Sequence, residues 1–315
     1  MRSRVEICRP GRWLLPAVVL IAAIALPVAA QEDVKPADTT PEQAQPDPAS
    51  MNRPLVWTGA GERGLSQTFP DAAVWLELEE GERALGLFYP ETRLPARGAV
   101  VVLADQGETA ASGLAGAVAR ALAARGWAVL TLGLEAPSPV LERILAGRSA
   151  APDPESSGEA GAESVMIDVM KSEIPEDLEA RYRSRISQAL AAGLAELVGR
   201  GYESPVLLGI GRAGIHVTDR VLEGANASAV IWVAPRFYPA DHKELPERLA
   251  SLGTPLLHLH PSGPDGGNPG WSTGDRLLRA GVPGYQQQPV PWFSPPSEAL
   301  GDTIAGRAAA WLEAR

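Results

Sequence analysis

The stretch Pro205–Val217 reads PVLLGIGRAGIHV: an apolar run, a turn bracketed by glycines, then the start of an amphipathic segment. Two chemistries use such a pattern. Gly209, Gly211 and Gly214 spell G-x-G-x-x-G, which between a strand and a helix lays a pyrophosphate against the helix N-terminus. Gly209, Gly211, Arg212 and Ala213 also have the form of a strand-to-helix elbow, whose middle position carries a nucleophilic serine in acyl hydrolases. That position is Gly211, which has no side chain to attack a carbonyl. Chain order separates the two readings. A dinucleotide fingerprint follows the first strand of its sheet and has an acid about 20 residues on for the ribose. This one follows the third long apolar run, and the next run ends Val233-Ala234-Pro235-Arg236 without an acid. Arg236 suits a 2′-phosphate, so an NADP-binding oxidoreductase stays as a second alternative.

Acyl transfer also needs a histidine held by an acid, and backbone N–H groups for the oxyanion. The loop after the first parallel run, often His-Gly-Gly in hydrolases, is Ala104-Asp105-Gln106-Gly107, and Gly107 remains as a backbone donor. The histidine belongs in Tyr285–Glu298, YQQQPVPWFSPPSE, which has none. Trp292-Phe293 stands there instead, as packing or as a ligand wall. Asp265 follows the run Pro255–Leu259 about where the acid would sit, a remnant acid at most. The expectation is a hydrolase-type elbow without nucleophile or catalytic histidine. Gly107, Gly211 and Arg212 are its ligand-binding candidates, because a guanidinium at a helix N-terminus favours an anion.

The remaining candidates are thinner. His258 and His260 are two apart on a strand and face one side. With Asp265 or Asp105 they make a sparse metal set, and core or loop histidines are the plainer reading. His216 reads as a packed or capping residue and His242 as a surface residue. Ser112, Ser138 and Ser262 have no partner spaced for a relocated nucleophile. No cofactor is implied.

Around these residues the chain alternates. Val74–Leu78 and Ala84–Tyr89 flank a turn and read as an antiparallel hairpin. Ala99–Leu103, Trp127–Leu132, Pro205–Leu208, Ala229–Ala234 and Pro255–Leu259 are continuous apolar runs, as in strands buried on both faces. Helical periodicity covers 111–125, 179–198, 214–222, 242–252, 271–280 and 299–314. The fold expected is an α/β, three-layer sandwich with a mostly parallel sheet and an N-terminal antiparallel hairpin. Residues 150–177 are rich in Gly, Pro, Ser and acids and read as a flexible insertion.

The N-terminus has Arg2, Arg4, Arg9 and Arg12, an apolar Trp13–Leu26, and Val28-Ala29-Ala30. That is the pattern of a secretory signal peptide, 1–30, cleaved after Ala30, with an uncleaved membrane anchor as the alternative. Residues 31–64 read as a proline-rich disordered linker and 65–315 as the folded domain. The formal net charge of −10 argues against a nucleic-acid partner. Cys8 is the one cysteine and leaves with the signal peptide, so no disulfide is expected. These readings place the protein in the periplasm or outside the cell, touching the membrane only through an uncleaved signal segment.

The pieces WLELEEGERALGLFYP, VVVLADQGETAAS, RGWAVLTLGL, LLGIGRAG, TPLLHLHPSGPD and a last helix ending AAAWL resemble the secreted proteobacterial family called domain of unknown function 3530. They span most of the chain from Trp75 to Leu312. The resemblance implies an α/β-hydrolase-like fold and no settled activity. The function expected is a non-catalytic binding or scaffolding protein of the cell envelope, recognising a small anionic ligand or an envelope protein. A divergent esterase or peptidase with a metal or relocated-serine site is the first alternative.

Overall fold

In a computed structural model, eight strands and eight α-helices are interspersed among the described residues. It describes residues 60–147, 177–262, 269–291 and 296–315. The signal segment, most of the linker, the acidic insertion up to residue 176, Asp265 and Trp292-Phe293 lie outside the described residues. The described residues belong to one unit, Val56–Arg315. Among them, no helix is long and apolar enough to cross a membrane.

The expected hairpin is β1 (Ala73–Glu77) and β2 (Arg83–Tyr89), paired antiparallel. Six parallel strands follow: β3 (Gly98–Gln106), β4 (Trp127–Leu134), β5 (Val206–Ile210), β6 (Val230–Val233), β7 (Leu256–Pro261) and β8 (Tyr285–Val290). They lie in the order β1-β2-β4-β3-β5-β6-β7-β8, with β2 antiparallel to β4. The continuous apolar runs are explained by a helix layer on each face. Val100, Val102 and Ala104 of β3 pack with α2 (Gly113–Ala123) and α8 (Gly301–Glu313). Val101 and Leu103 face the other way, toward α4 (Leu178–Gly199), α5 (Ala213–Leu222), α6 (Pro239–Leu249) and α7 (Pro269–Ala280). Both layers are needed, because a parallel strand has apolar side chains on both faces. Trp232 of β6 is fully buried in the second layer, and its indole N–H donates to Thr218 Oγ1 at 2.9 Å.

Three elements depart from the sequence expectation. Helix α1, Ala60–Thr68, opens inside the stretch read as linker. Its glycines lower its intrinsic propensity, and tertiary contact overrides that: Leu65 packs on Leu85 and Leu87, and Glu62 accepts the Leu85 N–H. Strand β8 lies in the stretch read as loop. Gln286, Gln287, Gln288 and Pro289 hide its period, and as an edge strand it tolerates the proline. Helix α3, Pro139–Leu145, is a short one. Ser138 caps it, its hydroxyl accepting the Leu141 N–H at 3.3 Å, with Pro139 at the first turn. Ser138→Ala is expected to lower the unfolding free energy by about 1 kcal/mol in urea titrations.

Candidate functional site

From β3 the chain crosses to β4 on one side, and β5 returns on the other side of β3. Such a reversal opens a crevice at the carboxyl ends of the two strands, where open α/β sheets bind ligands. The elbow stands there. Gly211 has φ +56°, the left-handed conformation that the sharp turn requires and that glycine adopts without strain. Its N–H donates to Val233 O and its carbonyl accepts the Arg236 N–H at 3.0 Å, so the loop after β6 braces it. Gly209 lets α5 approach the strand: a Cβ there would lie 2.8 Å from the Ala213 carbonyl carbon.

Strands β3 and β5 are in register at Leu103 and Gly209. Two residues on, Asp105 stands level with Gly211. The Asp105 carboxylate fills the space that a side chain at 211 would use; a Cβ built there would overlap all three carboxyl atoms. Its Oδ1 accepts the Arg212 N–H at 2.9 Å and the Gln106 N–H at 2.8 Å. Its Oδ2 accepts from Arg236 Nη2 at 2.5 Å. The Asp105 side chain is only 19% exposed and that of Arg236 is 56% exposed. The two N–H groups come from the residue after the elbow glycine and from Gln106, the last residue of β3. An α/β-hydrolase builds its oxyanion hole from the residue after the nucleophile and from the loop that follows such a strand, the neighbourhood of these two donors. Here both donors bind the chain's own carboxylate, and Gly211 beside it has no hydroxyl.

The donor from this end of β3 is Gln106, where the sequence suggested Gly107. The Gly107 N–H is committed to Leu134 O at 2.7 Å, an extension of the β3–β4 pairing. Arg212 extends its guanidinium over the Tyr238 ring, 3.8 Å from the centroid. Its Nη1 is buried and has no hydrogen-bond acceptor among the described residues. Tyr238 donates its hydroxyl to Glu142 Oε2 at 2.8 Å, and Gln106 Nε2 donates to the same oxygen at 3.1 Å. Burial, then Glu142, pushes the Tyr238 hydroxyl up to about 12. Glu108 completes the rim. Burial, then the Asp105 charge, raises its carboxyl above the usual range, with Arg236 opposing.

A family model described as protein of unknown function (DUF3530) matches residues 13–262. The chain belongs to this family. Among curated proteins none matches this DUF3530 member. Solved structures share its fold. The dienelactone hydrolase of Anabaena variabilis ATCC 29413 is 18% identical, with a TM-score of 0.51 over 76% of this chain and 95% of that one. Est1E of Butyrivibrio proteoclasticus is 9% identical, with a TM-score of 0.51 over 78% of this chain and 100% of that one. The DUF3530 chain therefore has an α/β-hydrolase-like fold, as the strand order also shows.

The other candidates of this DUF3530 chain are placed away from the elbow or already engaged. His258 and His260 are buried in the layer under α7, not open at a mouth. His258 Nδ1 is 2.7 Å from the Tyr285 hydroxyl, and His260 Nδ1–H donates to the Pro261 carbonyl at 3.1 Å. Asp105 is turned to Arg212 and Arg236, so it does not complete a metal set with them. No cluster of three His, Cys, Asp or Glu suited to a metal occurs among the described residues. Arg236, the candidate for a 2′-phosphate, is spent on Asp105, and that carboxylate lies where a pyrophosphate would approach α5. Ser112 Oγ accepts the Thr109 N–H at 2.8 Å and donates to Thr109 O, so it closes a turn. Ser262 is exposed just beyond β7.

His216 is buried between α4 and α5, edge-on to Tyr182. His242, expected at the surface, ties α6 to α7. Its Nε2–H donates to Thr273 Oγ1 at 2.8 Å, and its Nδ1 accepts from Arg276 at 2.9 Å. A cleft of about 770 Å³ lies on the flank between α4 and α5, lined by residues such as Arg183, Gln188, His216 and Arg220. No elbow residue lines it. Its arginines are matched by acids: Arg183 by Asp241 and Glu179, Arg248 by Asp219, Arg220 by Glu223.

Proposed function

We propose that this DUF3530 protein is a non-catalytic member of the α/β-hydrolase fold, exported to the cell envelope, where it binds a small anionic ligand or an envelope protein. One observation supports the reading: the Asp105 carboxylate accepts the Arg212 and Gln106 N–H groups, which on this reading would form the oxyanion hole, beside the glycine at the elbow. A fixed anion in that hole repels the oxyanion of a tetrahedral intermediate, and no hydroxyl is present to form one. Losing one member of a catalytic unit already removes most of its rate. The export part rests on the basic, apolar and small-residue pattern of residues 1–30.

Purified protein treated with a fluorophosphonate probe is expected to take up no label, in native or boiled form. Heat-sensitive labelling at any serine contradicts the reading, and the labelled peptide then names the nucleophile. The same sample is expected to hydrolyse p-nitrophenyl acetate no faster than an equal mass of unrelated acidic protein.

A further inference from the structure

The Asp105 carboxylate is coordinated as a bound carboxylate would be. One oxygen takes the N–H of its own neighbour, Gln106, and that of Arg212 from the elbow, and the other takes a guanidinium. An aspartate at a strand end has no need of this arrangement to stay solvated, since turning outward would return it to water. The residue whose N–H caps Oδ1 also has an unused donor: Arg212 Nη1, over the Tyr238 ring, is buried without an acceptor among the described residues. We propose that the elbow is a carboxylate-binding site with Asp105 as its tethered resident, and that a carboxylate-bearing ligand enters by exchanging with it. The proposal rests on the non-catalytic reading and adds the ligand class.

The surroundings favour a monoanion. Glu108 faces the same pair, with Asp105 raising and Arg236 lowering its carboxyl. A phosphate dianion would put a second negative charge where Asp105 puts one. Arg236 provides the entry side, because its side chain is half exposed while its partner is mostly covered. A tethered carboxylate competes at an effective concentration in the mM range or above, so it weakens an external ligand without abolishing its binding.

The test is an NMR titration of the full mature chain with sodium acetate, reading the amides of Arg212 and Gln106. In the unaltered protein both amides are expected to move together, and only at high acetate. In Asp105→Ala they are expected to respond at about tenfold lower acetate. Adding Arg236→Ala should cancel about tenfold of that gain. Sodium phosphate at pH 8 should bind Asp105→Ala more weakly than acetate does. Should Asp105→Ala fail to fold, Asp105→Ser opens the same space with a polar side chain and carries the same expectation. Amides that do not move in the opened variant, or binding indifferent to Arg236→Ala, overturn the site. Amides that move in the variant but never in the unaltered protein overturn exchange. These outcomes are separate from fluorophosphonate labelling, which tests the non-catalytic reading alone.

Discussion

Alanine at position 211 is expected to lower the unfolding free energy by about 3 kcal/mol, and prior removal of the Asp105 side chain to cut that loss to about 1 kcal/mol. Two costs add in the single variant. A Cβ in the left-handed conformation costs about 1 kcal/mol. It also evicts the Asp105 carboxylate, stranding the Arg212 and Gln106 N–H groups and breaking the Arg236 pair. An unpaired, partly buried donor costs about 1–3 kcal/mol. With Asp105→Ala already made, those bonds are gone and only the backbone cost remains. Urea unfolding of the four proteins gives the coupling directly. A coupling of about 2 kcal/mol supports the shared space; additive losses place Asp105 elsewhere.

Acid should destabilise the protein through its buried histidines. Burial, then Arg183, lowers His216 to about 3, and burial, then His260, lowers His258 to about 3, against an ordinary 6.5. Both are neutral in the folded protein, while the unfolded chain takes up a proton at each once the pH falls below 6.5. Their stabilisation is therefore whole above 6.5 and is lost as the pH falls from 6.5 through 3. Each contributes about 1.4 kcal/mol per pH unit within that window. Glu135 acts the other way. Burial, then Glu62, raises it to about 7, so its contribution is whole below the ordinary 4.5 and is lost as the pH rises to 7. Glu108 and Asp219, also raised, follow the sign of Glu135.

His258→Gln isolates one histidine from these opposing groups. The variant should be less stable than the parent near pH 7. Between pH 6.5 and pH 4 the gap should close by about 3 kcal/mol, since only the parent has the proton to take up. Urea unfolding at the two pH values measures this. A gap independent of pH means that His258 titrates normally and is not sealed under Trp232 and Tyr285.

Strand and helix order was legible because each parallel strand is a continuous apolar run and each helix keeps its period. Strand β8 was not, since its glutamines and Pro289 erase the apolar signal at a sheet edge. Helix α1 was hidden because its stability comes from Leu65 and Glu62 reaching β2, not from its own residues. At the elbow, the missing hydroxyl at Gly211 and the missing His-Gly-Gly loop were both plain in the sequence. Their connection was not. VVVLA and VLLGI carry no polar side chain, so pattern alone does not fix their register, and only the pairing of Leu103 with Gly209 brings Asp105 to Gly211. The signal available was chemical: an acid in the loop that donates to an oxyanion, together with a glycine where the nucleophile would stand.

The central claim is that the chain's own carboxylate occupies the hole at the elbow. The most direct measurement compares the backbone amide protons of Arg212 and Gln106 by NMR in the unaltered protein and in Asp105→Ala without added ligand. Both should lie far downfield in the unaltered protein, as amides donating to a carboxylate do, and both should move upfield together in the variant, while amides beyond the first turn of α5 hold their positions. Unmoved resonances at Arg212 and Gln106 would mean that the carboxylate never sat between them, and the account of the elbow would be wrong.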